Sequence, residues 1–148
     1  MAKFGLEEGC KRTRNWIKED ITTKDFVLFP IHSREHWTLV VVEPGKKEVQ
    51  YLDSLTTSRN FSSAPRLIKA FMERRHRKKG EEAEYRIKIR NDIPKQTNGV
   101  DCGVFLCQYA ERIARNAWMD FRQEDMSRAR KSMTVELLEE WKTTDIHM

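Results

Sequence analysis

Apolar positions along this chain change period several times, and each change marks an element. Across residues 6–20, Leu6, Cys10, Trp16 and Ile17 can share one face with Lys, Arg and Glu elsewhere, which predicts a helix. After the polar break Asp20–Lys24, the run Phe26–Ile31 is short, continuous and apolar, as expected of an inner strand, with Pro30 expected to end or bend it. Trp37–Glu43 is rich in β-branched residues, Pro44–Lys47 signals a turn, and Val49, Tyr51 and Asp53 alternate along Glu48–Asp53. These two segments predict a hairpin. Arg66–Arg77 predicts a helix carrying Leu67, Ile68, Phe71 and Met72, and Tyr85–Ile89 alternates as a half-exposed strand. From Cys102 onward, Phe105, Leu106, Tyr109, Ala110 and Ile113 recur at helical spacing. A last helix over Gln123–Trp141 has Met126, Met133, Leu137 and Trp141 for one face. Without repeats or low-complexity linkers, the pattern predicts a small antiparallel sheet flanked by helices, an α+β fold.

Composition narrows the class. The 148 residues are 39% apolar and 34% charged, which fits one domain over 1–148 with a sizeable core. No apolar run approaches the ~20 residues of a membrane span, and no h-region follows Met1. An intracellular protein, nuclear or cytoplasmic, with no membrane partner is therefore expected. Cys10, Cys102 and Cys107 are odd in number and form no CxxC pair, which predicts free thiols. The net charge of +5 is uneven: Arg66–Arg90 holds ten Lys or Arg against four Glu. That stretch is either a solvated helix end or a surface for partners or targeting. With no aromatic interleaving or zinc spacing, specific nucleic-acid binding is not expected.

The strongest chemical signal is Gln96–Gly103, a polar loop that delivers Cys102 to the first turn of an apolar helix. Unpaired N–H groups and the helix dipole there favour an anion, so the thiol can become a thiolate nucleophile. Gly103 has no side chain to obstruct the sulfur, and Gln96 can donate to a developing oxyanion. A thiolate also needs a base, and the base an orienting group. His36 starts the second strand and Asp53 ends the third, so the hairpin brings them to one end of the sheet. Plainer readings stand beside this one. A cysteine at a helix start can be buried filler, as Cys107 and Cys10 are expected to be. Asp53 can merely cap a turn, and Trp37 can be core. His32 and His36 have no further ligand spacing around them, so neither a metal nor another cofactor is expected.

Four segments in register, Phe29–His32 leading into His36–Leu39, Tyr51–Ser54 and Gln96–Phe105, resemble the Ulp/SENP family of SUMO-specific cysteine proteases. The resemblance runs from about residue 12 to near Trp141. It implies a papain-like fold with the N-terminal part of the domain missing. It also implies Cys102 as nucleophile, His36 as general base and acid, Asp53 as the holder of the imidazole, and Gln96 in the oxyanion hole. Trp37 is similar to the indole over the tunnel for the modifier's Gly-Gly tail, which only glycine can thread without a Cβ clash. The implied activity is hydrolysis of the peptide or isopeptide bond after that Gly-Gly, by a monomer acting on SUMO or a related modifier and its conjugates. A NEDD8-directed protease of the same fold, or an inactive modifier-binding remnant, are the alternatives.

Overall fold

The computed structural model describes residues 17–55 and 62–144. The helix expected over 6–20 lies almost wholly outside them, and so does Cys10. Strand β1 is Val27–Ser33, β2 His36–Glu43, β3 Glu48–Leu52 and β4 Arg86–Ile89. Helix α1 is Ala64–Arg77, α2 Cys102–Ala114 and α3 Met126–Thr144. The sheet order is β1-β2-β3-β4. Strands β1, β2 and β3 pair antiparallel, whereas β4 runs parallel to β3. The expected antiparallel sheet is therefore mixed. The reason is the connection: the chain passes through α1 between β3 and β4, and such a crossover permits a parallel return.

Strand β2 is the centre of the molecule. Its residues Thr38–Val42 are all buried, and β-branched side chains suit a strand covered on both faces. Leu39, Val41 and, from β3, Leu52 pack with Val104, Phe105 and Tyr109 of α2, Phe121 and Met126. On the opposite face Val40, Val42, Val49 and Tyr51 pack with Ile68 and Met72 of α1 and with Tyr85. The sheet is thus sandwiched between α1 on one side and α2 with the start of α3 on the other.

Three expectations need correcting. The Phe26–Ile31 run is not an inner strand: β1 is an edge strand of intermediate to high exposure, and it continues through Pro30 to Ser33. An edge tolerates a residue that cannot donate a ladder hydrogen bond. The β4 strand is exposed along its whole length, not half-buried, because it forms the other edge. The face proposed for the last helix is only partly used. Met126 is buried and Met133 packs on the core, but Leu137 and Trp141 are 70% and 66% exposed, since that half of α3 lies beyond the core cluster.

Two tight connections fix the strand ends. Between β1 and β2 the two turn residues, Arg34 and Glu35, both have positive φ, 50° and 61°. That is the conformation of a two-residue type I′ hairpin turn, here taken by residues with a Cβ. Between β2 and β3 a 3-10 turn over Pro44–Lys46 ends on Lys47, also left-handed at φ 52°. The basic stretch at the end of α1 and just after it is partly internal wiring. Lys79 pairs with Asp20 at 2.8 Å, and Arg75 donates to the Glu19 carbonyl at 2.8 Å, so both fasten the segment ahead of β1. Among the described residues, no helix is long and apolar enough to cross a membrane.

Two stability outcomes follow from this packing. Leu39→Ala should cost about 3 kcal/mol in urea unfolding, whereas Leu137→Ala should stay within about 0.5 kcal/mol of the parent. Replacing Arg34-Glu35 by Asn-Gly should raise the unfolding free energy by about 1 kcal/mol; a loss would mean that these side chains make contacts outweighing the backbone strain.

Candidate active site

The register of β2 on β3 builds the first half of the site. Leu39 lies opposite Leu52 and Val40 opposite Tyr51, so one step further sets Thr38 against Asp53. His36 has the same side-chain parity as Thr38 and is therefore Asp53's diagonal neighbour on one face. His36 Nε2 lies 2.7 Å from Asp53 Oδ1. A carboxylate can only accept, so the pair fixes the proton on Nε2 and leaves Nδ1 as the ring's lone-pair nitrogen. Asp53 is itself well held. Its Oδ1 also accepts from Leu55 N at 2.9 Å, and its Oδ2 from the Tyr51 hydroxyl at 3.3 Å. Lys95 donates to the Asp53 carbonyl at 2.7 Å.

The second half is the loop into α2. Cys102 is the first residue of that helix and is buried. Gly103 faces Trp37: a Cβ built on the glycine would lie 3.6 Å from the indole Cδ1, ordinary contact distance. The start of α2 and the start of β2 therefore touch one residue away from both Cys102 and His36. Trp37 is 40% exposed, and its ring lies 4.6 Å from that of His32, so it is a surface aromatic beside the site and not a core residue.

Gln96 is buried and anchored at both ends of its amide. Its Oε1 accepts a hydrogen bond from Ser54, and its Nε2 donates to the Asn98 carbonyl at 2.6 Å. One of the amide's two hydrogens is thereby committed to the loop. The loop is braced further by Asn98 and Asp101, with Asn98 Nδ2 donating to Asp101 Oδ2 at 2.7 Å. Tyr109, buried in α2, donates its hydroxyl to the Pro94 carbonyl. Cys107, one turn beyond Cys102, is partly buried against the core, and burial pushes its thiol up, away from reactivity.

Among the described residues, His36, Trp37, Asp53, Gln96 and the Cys102–Gly103 start of α2 thus lie toward one end of the sheet. Sequence reasoning missed Ser54, Lys95, Asn98, Asp101, Gln123 and Arg130. Asp101 and Asn98 stand in the motif, but nothing in a linear pattern shows which partner their side chains take. Arg130 and Gln123 sit at the other end of the described chain and carry no local signal at all.

Comparison with known proteins gives one consistent set of relatives. The Ulp1 protease family, C-terminal catalytic domain, matches residues 2–143. A sentrin-specific protease of Caenorhabditis elegans is 33% identical over 138 residues, covering 90% of this chain and 20% of the relative. Sentrin-specific protease 2 of Mus musculus is 34% identical over 137 residues, covering 88% and 23%. The chain therefore spans about a fifth of the length of these curated relatives. Among solved structures, the SUMO protease Ulp1 with its catalytic cysteine oxidised to a sulfenic acid superposes with a TM-score of 0.72 at 28% identity. The match covers 84% of this chain and 58% of that one. The C-terminal Ulp1 protease domain in complex with Smt3, the yeast ortholog of SUMO, matches over the same shares with a TM-score of 0.67.

The loop's brace has a predictable acid limit. Hydrogen bonds from Asn98 and Arg130, with a further one from Gln123, hold the Asp101 carboxyl below the usual carboxylate range. Its folded value is depressed, so its contribution is complete above the unfolded pKa of about 3.9 and is lost as pH falls through the folded value. In urea unfolding, the stability gap between the parent and Asp101→Asn should hold steady from pH 7 to about 4 and close below it. A gap that widens on acidification would show the opposite sign.

Proposed function

The chain belongs to the Ulp1 protease family, and from that premise we propose that it is a SUMO-directed cysteine peptidase with Cys102 as its nucleophile. The observation that carries the reading is the 2.7 Å His36–Asp53 pair at the sheet end whose next residue, Trp37, touches the start of the Cys102 helix. The names of the relatives support the substrate class, a modifier of the SUMO type.

The chemistry then runs in two halves. His36 Nδ1 takes the Cys102 proton, and the thiolate attacks the carbonyl carbon of the modifier's last glycine. The oxygen gains negative charge, which the Cys102 backbone N–H and the uncommitted hydrogen of the Gln96 amide are suited to receive. Collapse breaks the carbon–nitrogen bond. The imidazolium gives its proton to the departing amine, a lysine ε-amine in deconjugation or a peptide amine in precursor processing. A thioester remains. Water, deprotonated by the same imidazole, hydrolyses it and returns the thiol. Asp53 keeps the ring in the tautomer and orientation that both halves require, and does not itself react. Trp37, flat and exposed beside Gly103, suits a tail of two glycines, whose backbone can lie against an indole with no side chain in the way.

A second reading is a domain that binds the modifier without turning it over. What favours it is that the match covers only 58% of the Ulp1 chain. Selectivity between SUMO and NEDD8 would reside in contacts remote from Cys102.

The deciding experiment is mass spectrometry after incubation with electrophilic C-terminal probes of SUMO and of NEDD8. The expected result is an adduct on Cys102 with the SUMO probe and none in Cys102→Ser. In turnover, Cys102→Ser should abolish cleavage, His36→Ala should nearly do so, Asp53→Asn should lose less, and Cys107→Ser should stay near normal. A folded chain whose Cys102 reacts with iodoacetamide but with neither probe would favour the binding domain, and full turnover by Cys102→Ser would sink the assignment.

A further inference from the structure

Asp101 stands at the N-cap of α2, where an aspartate usually accepts a hydrogen bond from the first-turn amides. Here it makes no such bond. Both oxygens turn the other way. Oδ1 accepts from Arg130 Nε at 3.0 Å and Nη2 at 2.6 Å, a two-pronged grip from α3. Oδ2 accepts from Asn98 at 2.7 Å and from Gln123 at 2.8 Å. Arg130 Nη2 also takes the Val100 carbonyl at 2.9 Å, and Gln123 Oε1 accepts from Thr97 N at 2.8 Å. Arg130 of α3 and Gln123, in the 3-10 turn that leads into it, together hold Thr97, Val100 and Asp101 of the loop that immediately precedes Cys102.

The charge arithmetic matters as much as the geometry. Asp101 is buried, one residue from the thiol, and an uncompensated carboxylate there would oppose a thiolate. The guanidinium supplies the opposite charge and brings two donors to one carboxylate oxygen. A carboxylate freed of that grip would turn to the ordinary partner of a helix-capping aspartate, the first-turn amides of α2. It would then occupy donors that an anion on sulfur or on a substrate oxygen needs. The other charged or titratable groups toward this end of the molecule include His32, Arg34, Glu35, His36, Tyr51 and Asp53 on the strands and their turn, and Lys95 at the start of the loop.

We propose that Arg130 is a positioning residue for Cys102: by gripping Asp101 and the Val100 carbonyl, it fixes the nucleophile loop and keeps the Asp101 carboxylate off the amides at the start of α2. The inference deepens the reading of Cys102 as nucleophile and rests on it. Arg130 touches no reacting atom and acts only through its neighbour.

The test uses the full chain with Arg130→Gln, Arg130→Lys and, as a control on the same helix, Arg128→Gln, whose arginine pairs with Asp125. Two quantities are read: the pH midpoint of Cys102 alkylation by iodoacetamide, resolved by peptide mass spectrometry, and turnover of a SUMO C-terminal aminocoumarin amide. Arg130→Gln should move the midpoint upward and lower kcat about tenfold or more, with KM within about twofold. Arg130→Lys should restore the midpoint but only part of kcat, because it returns the charge without the two-pronged grip. Arg128→Gln should match the parent. If Arg130→Gln does not fold, Asp101→Asn combined with Arg130→Gln decides, since it buries no unpaired charge. Its midpoint should lie near the parent's while kcat stays low, and parental kcat would overturn the proposal. A folded Arg130→Gln with unchanged midpoint and kcat overturns it outright. A parent that turns nothing over, but whose midpoint still moves with Arg130→Gln, would sink the protease reading and support this one.

Discussion

The pairing of Leu39 with Leu52 is the constraint on which the rest of the molecule depends. It sets both faces of β2 at once, sending Leu39 and Val41 toward α2 and Val40 and Val42 toward α1. A slip of one residue would exchange the two faces and also move His36 to the side opposite Asp53. The apolar core and the His36–Asp53 pair are therefore specified by one register. Burial of the two core clusters enforces a geometry that a single hydrogen bond could not hold, because the net worth of such a bond is only about 1 kcal/mol.

The other half of the site is held by different forces. Cys102 enters α2 from a loop whose side chains form one connected path. Ser54, at the end of β3, bonds Gln96; Gln96 bonds the Asn98 carbonyl; Asn98 bonds Asp101; and Asp101 bonds Gln123 and Arg130. The path starts beside Asp53 and finishes on α3. It ties the sheet end that carries His36 to the helix that braces the Cys102 loop, alongside the apolar cluster that already joins the two. Networks of this kind hold only while each member is satisfied, and the ionised Asp101 is its hub.

The difference between these two kinds of force explains what could be read from the sequence. Apolar periodicity is a local record of burial, so the β2–β3 hairpin, the α2 helix and the meeting of His36 with Asp53 were legible. The order of the motifs made Gln96 and Cys102 legible too. What was lost depended on partners distant in the chain. The Phe26–Ile31 run looks buried on both faces, yet it is an edge, because strand order is a tertiary choice. Arg34-Glu35 gave no turn signal, because neither residue is the Gly or Asn that a type I′ turn favours, and the turn is imposed by the strands on either side. Arg130 was illegible for the same reason: an arginine on an amphipathic helix reads as solvated until a carboxylate is placed against it.

Two supports of unequal strength imply two stabilities within one site. The sheet end that holds His36 and Asp53 continues directly from strands buried over Thr38–Val42 and Glu48–Leu52. The loop that holds Cys102 is exposed from Thr97 to Val100 and is fixed by polar contacts that depend on charge. Segments fastened that way belong to the low end of the local-unfolding scale. The Cys102 loop can therefore loosen, under acid or without Arg130, while the sheet remains intact. Order at Cys102 and global stability are then separable quantities, the first set by the weaker support: the Asp101 carboxylate and its partners.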